Sequence, residues 1–366
     1  MIYHIFNGKL LHAVPSMIKN ILSTSSEICK DPNTKHCFCL IMFGKDMLYK
    51  NVISDPYSAI FEEYKHNDYV FLNKKTDYIK LLFKIGKKDK VIYHSAPARS
   101  LFFFTNIVNS MVRPFVLHNS SFICWGAGEY RIYDDSLKRH LKAQIRRFIF
   151  NRFANIITLS TDDENEARKM YPSANVFLCS YIGQYSYLKK KKHREKFHVM
   201  VSHSGWPHNY HRESFGLLEK YVGKIEITCP LCYGDPDYIE SVIRCGKEIF
   251  GEDFHYFKDL LSKEDYGDLF SEVDAYVTYT DVQTGLGAIS NAIRGGAKIF
   301  VRANLYNYLV NEGFHVQDVD ELKILSFEEF KIPLTESTMQ YNVDVLNKDC
   351  RPGNSNYAKW QKVYEE

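Results

Sequence analysis

Three histidines, His203, His208 and His211, stand among Ser202, Ser204, Gly205 and Asn209 in the stretch VSHSGWPHNYHRES of residues 201–214. The run before it is strand-like and the run from Arg212 is helical, so the small residues occupy a strand-loop-helix corner. At such a corner free backbone N–H groups and the positive end of a helix dipole point outward, which suits a phosphate or a sugar. Two other readings stay open. One is a plain surface loop. The other is a metal site, although no Cys or carboxylate cluster adjoins. A second corner is QTGLG, from Gln283 and Thr284 through Gly285 to Gly287, which follows the strand-like AYVTYT and opens a helix. Its glycines permit close backbone approach, and they also serve ordinary turns. No Gly-Lys-Ser/Thr follows, so this is not a P-loop. Two anion-binding corners in one half of the chain could together grip a nucleotide diphosphate.

Three further stretches carry reactive groups. WGAGEY, from Trp125 to Tyr130, puts Glu129 in a glycine loop after a strand. A partly desolvated carboxylate there has a raised pKa and suits a general base; the alternative is a solvated turn residue. In PLCYGD, from Pro230 to Asp235, Cys232 forms a single CxxC with the preceding Cys229, without a second pair for zinc, and two buried packing thiols are expected. Asp235-Pro236-Asp237 is formally a DxD, but an Asp ahead of Pro and a helical run fits an N-cap with a first-turn acid. No metal ligand set is expected. Between residues 136 and 160, Lys138, Arg139, Lys142, Arg146, Arg147 and Arg152 occur without one acidic residue. Leu137, Leu141, Ile145, Phe148, Ile149 and Phe153 recur between them at helical spacing. Such a basic amphipathic helix fits an anionic membrane surface on one face and a core on the other.

The elements that must position these groups alternate in type. Residues 2–6, 36–43, 90–94, 121–125 and 155–160 read as strands, with helical spacing over 13–22 and 77–85. The pattern restarts with strands at 197–201, 224–229, 275–278 and 298–301, and helices at 212–221, 237–250 and 288–294. Such alternation predicts parallel sheets covered by helices. Four consecutive lysines, Lys189 to Lys192, mark a linker. The expected division is an N-terminal Rossmann-like domain over 1–188, a C-terminal one over 195–335, and a closing segment over 336–366 that packs back on the first. A ligand cleft between the domains is the further expectation. The length of 366 residues suits two domains, and 45% apolar with 25% charged residues is ordinary for globular chains. A net charge of +3 is too small for a dedicated nucleic-acid binder. Nine cysteines, an odd count without framework spacing, read as reduced thiols in a cytoplasmic setting. No stretch reads as a signal peptide or a membrane span.

These segments together resemble glycosyltransferase family 56, the 4-acetamido-4,6-dideoxygalactose transferases of enterobacterial common antigen synthesis. Ser204, Pro207, Asn209 and His211 match the family's Asn/His loop. PLCYGD is similar to its PLxYGD, GKEIFGEDF at 246–254 to its GKKxFG stretch, QTGLG to its QxGIG and WGAGEY to its WGADxY; Tyr266 follows in the expected helix. The resemblance spans roughly residues 122–316. Two positions depart from it. Gly128 stands where the family has Asp, with Glu129 one place later, and Asp281-Val282 replaces a more basic stretch.

The resemblance implies a GT-B fold of two Rossmann-like domains and no cofactor or metal. It implies sugar transfer from a TDP-sugar to a polyprenyl-diphosphate-linked oligosaccharide, at the inner face of the bacterial inner membrane. Ser202, His203, Ser204, His208, Asn209 and Gln283 to Gly287 would then hold the donor's diphosphate. Tyr233 and Gly234 would lie by the base or ribose, Trp125 and Tyr130 by the acceptor, and Glu129 would be the base. A non-catalytic nucleotide-sugar binder and a sugar-nucleotide epimerase share the two-domain plan and stand as rivals.

Overall fold

The structure, a computed structural model, describes residues 1–7, 14–29, 34–43, 67–96, 99–124, 137–183, 185–188, 194–261, 263–348 and 355–365. Glu129, Trp125, Tyr130 and the lysine run at 189–192 lie outside these residues.

The chain forms two compact units. One comprises residues 1–183 with 349–366, and the other residues 184–348. The division thus falls a few residues before the lysine run. The helix Glu336–Leu346 belongs to the second unit, packed on the helix Leu286–Arg294, whereas the helix Ser355–Glu365 returns to the first.

In the first unit, strands β1 (Ile2–Phe6), β2 (His36–Ile41), β3 (Asp68–Leu72), β4 (Lys90–His94), β5 (Ser120–Cys124), β6 (Asn155–Thr158) and β7 (Val176–Leu178) form one parallel sheet in the order β3-β2-β1-β4-β5-β6-β7. In the second unit, β8 (Phe197–Val201), β9 (Ile225–Pro230), β10 (Phe254–Phe257), β11 (Ala275–Val277), β12 (Lys298–Val301) and β13 (Gln317–Asp318) form another, in the order β10-β9-β8-β11-β12-β13. HCFCLI in β2 and KIFV in β12 are buried along their whole length. Continuous rather than alternating apolarity is what a parallel sheet covered on both faces demands. Each sheet runs outward from its first strand and then reverses, so β1/β4 and β8/β11 are the two topological switch points. Ligands of open α/β sheets bind just beyond the strand ends at such points.

A polar chain crosses the first sheet. Parallel register sets His36 opposite Ile2, and His94 opposite Phe6, with His4 between. His36 Nδ1 hydrogen-bonds His4 Nε2 at 2.9 Å, and His4 Nδ1 bonds His94 Nε2 at 3.0 Å. Ser25 closes one end through His36 Nε2 and Tyr181 the other through His94 Nδ1. All six ring nitrogens therefore have one partner each, and three neutral imidazoles satisfy the chain. Burial holds the His36 pKa near 4 and that of His94 near 3, and pushes His4 well down.

The closing helix Ser355–Glu365 seals this region. Its Trp360 donates Nε1–H to Ser180 O at 2.9 Å, and Tyr364 lies edge-on to His4 and His36.

Candidate functional site

The first corner begins directly after β8. Ser202 has φ 58°, a left-handed conformation costly for a non-glycine residue. Its N–H donates to Val277 O at 3.0 Å and its Oγ lies 3.0 Å from Thr278 Oγ1, which ties the β8 corner to the end of β11. Asn209 Nδ2 donates to Ser204 O (2.6 Å) and to Ser204 Oγ (2.9 Å). Ser202, Ser204 and Asn209 are fully buried. Their side chains therefore brace the loop, while Asn209 Oδ1 keeps no partner.

The second corner closes onto the first. Gly285, at φ 71°, is the N-cap of the helix Leu286–Arg294. A Cβ on Gly285 would lie 2.6 Å from His203 Nδ1, so the backbone touches the imidazole. Thr284 Oγ1 sits 3.4 Å from His203 Nε2. Gln283 has both carboxamide atoms buried and without a partner. Such atoms cost about 1–3 kcal/mol each unless a ligand or water satisfies them. His208 and Asp281 face each other electrostatically across the two loops.

The histidines here are neutral. Burial first, then His208, lowers the His203 pKa to about 4. Burial, with His203 and His208, takes His211 to about 3. His211 Nδ1 meets Tyr238 Oη at 3.3 Å while its Nε2 has no partner. Arg302 follows β12, and its guanidinium stacks 4.1 Å from the Tyr279 ring centroid.

A third loop, after β9, joins the corner. Gly205 N–H donates to Tyr233 O (2.8 Å), and Asp235 N–H to Gly205 O (3.0 Å). Gly234 has φ 151°, and a Cβ there would lie 2.2 Å from the Gly205 carbonyl. Glycine at 234 allows this approach, and glycine at 205 leaves room for Ile239. Trp206 and Tyr233 remain exposed on these two loops, at 43% and 39%, and offer rings to a planar group. Asp235 caps the helix Pro236–Phe250 by accepting Tyr238 N–H at 2.9 Å, so it serves as a helix start. Cys229 is buried and Cys232 Sγ contacts Asp259 O, both as free thiols. Among the described residues no cluster of three His, Cys, Asp or Glu is placed to hold a metal ion.

Of the residues singled out from sequence, Ser202, His203, Ser204, His208, Asn209, Tyr233, Gly234, Gln283, Thr284, Gly285 and Gly287 all fall on the loops and the helix start beyond β8, β9 and β11.

The sequence pattern of the family described as 4-alpha-L-fucosyltransferase, glycosyl transferase group 56, matches residues 67–325. No curated protein matches the chain. Among solved structures, Anabaena HepE in complex with UDP and glucose is similar with a TM-score of 0.68 at 10% identity, covering 100% of both chains. A glycosyltransferase from Rickettsia africae has a TM-score of 0.63 at 10% identity over 100% of this chain and 97% of its own. The trehalose-6-phosphate synthase OtsA has 0.59 at 10% identity over 99% and 97%. At these identities the likeness establishes the fold, two parallel α/β sheets of the GT-B type.

Proposed function

The chain belongs to glycosyltransferase group 56, and from that membership we propose that it moves a deoxyamino sugar from TDP to a polyprenyl-diphosphate-linked oligosaccharide in bacterial surface polysaccharide synthesis. The observation that carries the donor side is the closure of the QTGLG corner on His203 over the β8/β11 switch point. The orphaned Gln283 carboxamide, one donor and one acceptor, is a preformed contact for a polar ligand. A diphosphate at this corner meets the N-terminus of the helix Leu286–Arg294.

Charge grows on the nucleotide as the glycosidic bond to its phosphate oxygen breaks. Preorganised donors stabilise that charge without a metal. The new bond joins the acceptor oxygen to the anomeric carbon, and the hydroxyl proton passes to Glu129 in our reading. Trp125 and Tyr130 flank the acceptor, and the work is done at the inner face of the cytoplasmic membrane.

Calorimetric titration with TDP, UDP and GDP tests the donor side. Gly285→Val is expected to weaken nucleotide binding about tenfold or more, because strained backbone and a collision with His203 both displace the corner. His203→Ala should weaken it several-fold, with circular dichroism unchanged. Parental affinity in both variants defeats the assignment. Sugar transfer is also expected to survive excess EDTA; loss that a divalent cation restores would defeat the metal-free reading.

A further inference from the structure

The first unit carries an exposed apolar face that its core does not explain. Among the described residues of that unit, eight large apolar side chains are exposed: Met1, Phe71, Phe83, Phe104, Met111, Val112, Leu141 and Phe148. Phe104, Met111 and Val112 lie on the helix Arg99–Val112, and Leu141 and Phe148 on the helix Leu137–Phe150. Phe104 and Met111 are 63% and 71% exposed, and Leu141 is 63%. Their spacing of seven residues, in each helix, puts each pair on one face. The two helices pack side by side, with Arg146 over the Phe103 ring. A groove of about 520 Å³ runs between them, lined by Ile107, Gln144, Ile145, Arg147, Phe148 and Asn151. The exposed stripes therefore adjoin.

Charge decides what covers this face. Residues 90–128 and 136–160 contain no Asp or Glu. Arg147 lines the groove, and Arg152 lies over the ring of Phe148, another lining residue, with 3.6 Å between guanidinium carbon and centroid. At the far end of the Arg99–Val112 helix, Arg113 lies between the Phe83 and Phe115 rings. The helix Leu137–Phe150 also bears Lys138, Arg139 and Lys142 in its sequence. Aromatic and aliphatic tips flanked by cations, on helices that themselves carry no acidic residue, match the boundary between acyl chains and anionic headgroups. A soluble partner would have to present an equally one-signed acidic and apolar surface.

We propose that the face formed by the helices Arg99–Val112 and Leu137–Phe150 docks on an anionic lipid bilayer, with Phe104, Met111, Leu141 and Phe148 entering the headgroup boundary and Arg147 and Arg152 meeting lipid phosphates. No membrane-crossing helix is involved, since none of the described helices is long and apolar enough to span. The proposal deepens the reading of a membrane-borne acceptor, and its assay needs neither donor nor acceptor, so the two fail separately.

The full chain is sedimented with vesicles of phosphatidylcholine alone and of phosphatidylcholine with about a third phosphatidylglycerol. The parent should partition onto the anionic vesicles, and lose most of that binding in about 1 M NaCl, where the screening length falls to ~3 Å. Phe104→Ser with Met111→Ser should lower partitioning about tenfold or more, because both side chains leave the apolar boundary. Arg147→Glu with Arg152→Glu should lower it comparably. Nucleotide affinity should stay parental in both double variants, which also verifies folding. Equal partitioning of parent and both variants overturns the proposal. So does light scattering that shows a parental dimer dissociated by Phe104→Ser with Met111→Ser, because the face would then belong to a second copy.

Discussion

Lowering the pH from about 7 to about 5 is expected to remove on the order of 5 kcal/mol from the stability of the first unit. Three histidines of the imidazole chain, His4, His36 and His94, are held below their ordinary pKa by burial, the latter two at about 4 and about 3. In the unfolded chain each titrates near 6.5. A folded value below the unfolded one means that the stability present above pH ~6.5 is lost as pH falls toward the folded value. Each group then contributes up to ~1.4 kcal/mol per pH unit. Burial sets the folded values: the hydroxyls of Ser25 and Tyr181 can accept from an added ring proton, but the charge it brings would sit out of water. The second unit follows the same sign through His198, His203 and His211, at about 3, 4 and 3. Scanning calorimetry should show the transition temperature fall by roughly 10–20 °C over those two pH units. A transition temperature flat across that range would mean that the rings are not buried as neutral partners.

Gly234→Ala is expected to cost ~2–4 kcal/mol and to abolish nucleotide binding, although it adds one methyl group. Its φ is 151°, and the new Cβ would lie 2.2 Å from the carbonyl carbon and oxygen of Gly205. Those are backbone atoms with no rotamer to yield, and Gly205 N–H is itself fixed to Tyr233 O. Relief requires the loops after β8 and β9 to separate, which carries Trp206 and Tyr233 away from each other. Gly216→Ala provides the contrast. It lies inside the helix His211–Leu218 with no atom within 4 Å of a new Cβ. That variant should gain ~0.5–1 kcal/mol from helix propensity. Urea denaturation of both variants checks the pair, and equal midpoints for Gly234→Ala and the parent would refute the close-approach argument.

The alternation of strands and helices was readable wherever a strand is central. Lys90–His94, Phe197–Val201 and Lys298–Val301 stand at the residues that their apolar runs indicate. The strands without such a run are β3, β7, β10 and β13, and all lie toward the sheet edges. Half-covered edges tolerate polar residues, as FHYF with its exposed His255 and Tyr256 illustrates, so no continuous apolar signal forms. The helix Arg99–Val112 was hidden for another reason. Its uncharged stretch, Ser100 to Val112, reads only as too short and too polar to span a membrane, and its amides turn inward: Asn106 donates to Phe102 O at 2.9 Å.

The two donor corners were legible because strand end, small residues and helix start follow one another locally. Their closure was not, since it depends on β8 lying beside β11, whose residues are about eighty positions apart. The imidazole chain was invisible for the same reason. His4, His36 and His94 meet only through the parallel register of β2, β1 and β4.

The division of the chain has a consequence for its synthesis. The first unit is interrupted: residues 184–348 form the second unit before residues 349–366 return. The ribosome therefore delivers the seven-stranded sheet before the second unit, yet Trp360, Val363 and Tyr364, all buried in the first unit, emerge only after residues 184–348. Until they do, the His4–His36 face of the sheet lacks Tyr364, and Ser180 O lacks the indole of Trp360. The second unit, continuous in sequence, needs no such wait and can finish folding while its elder neighbour is still open. A chain truncated before residue 355 should thus expose protease-sensitive sites in residues 1–183 while residues 184–348 resist cleavage.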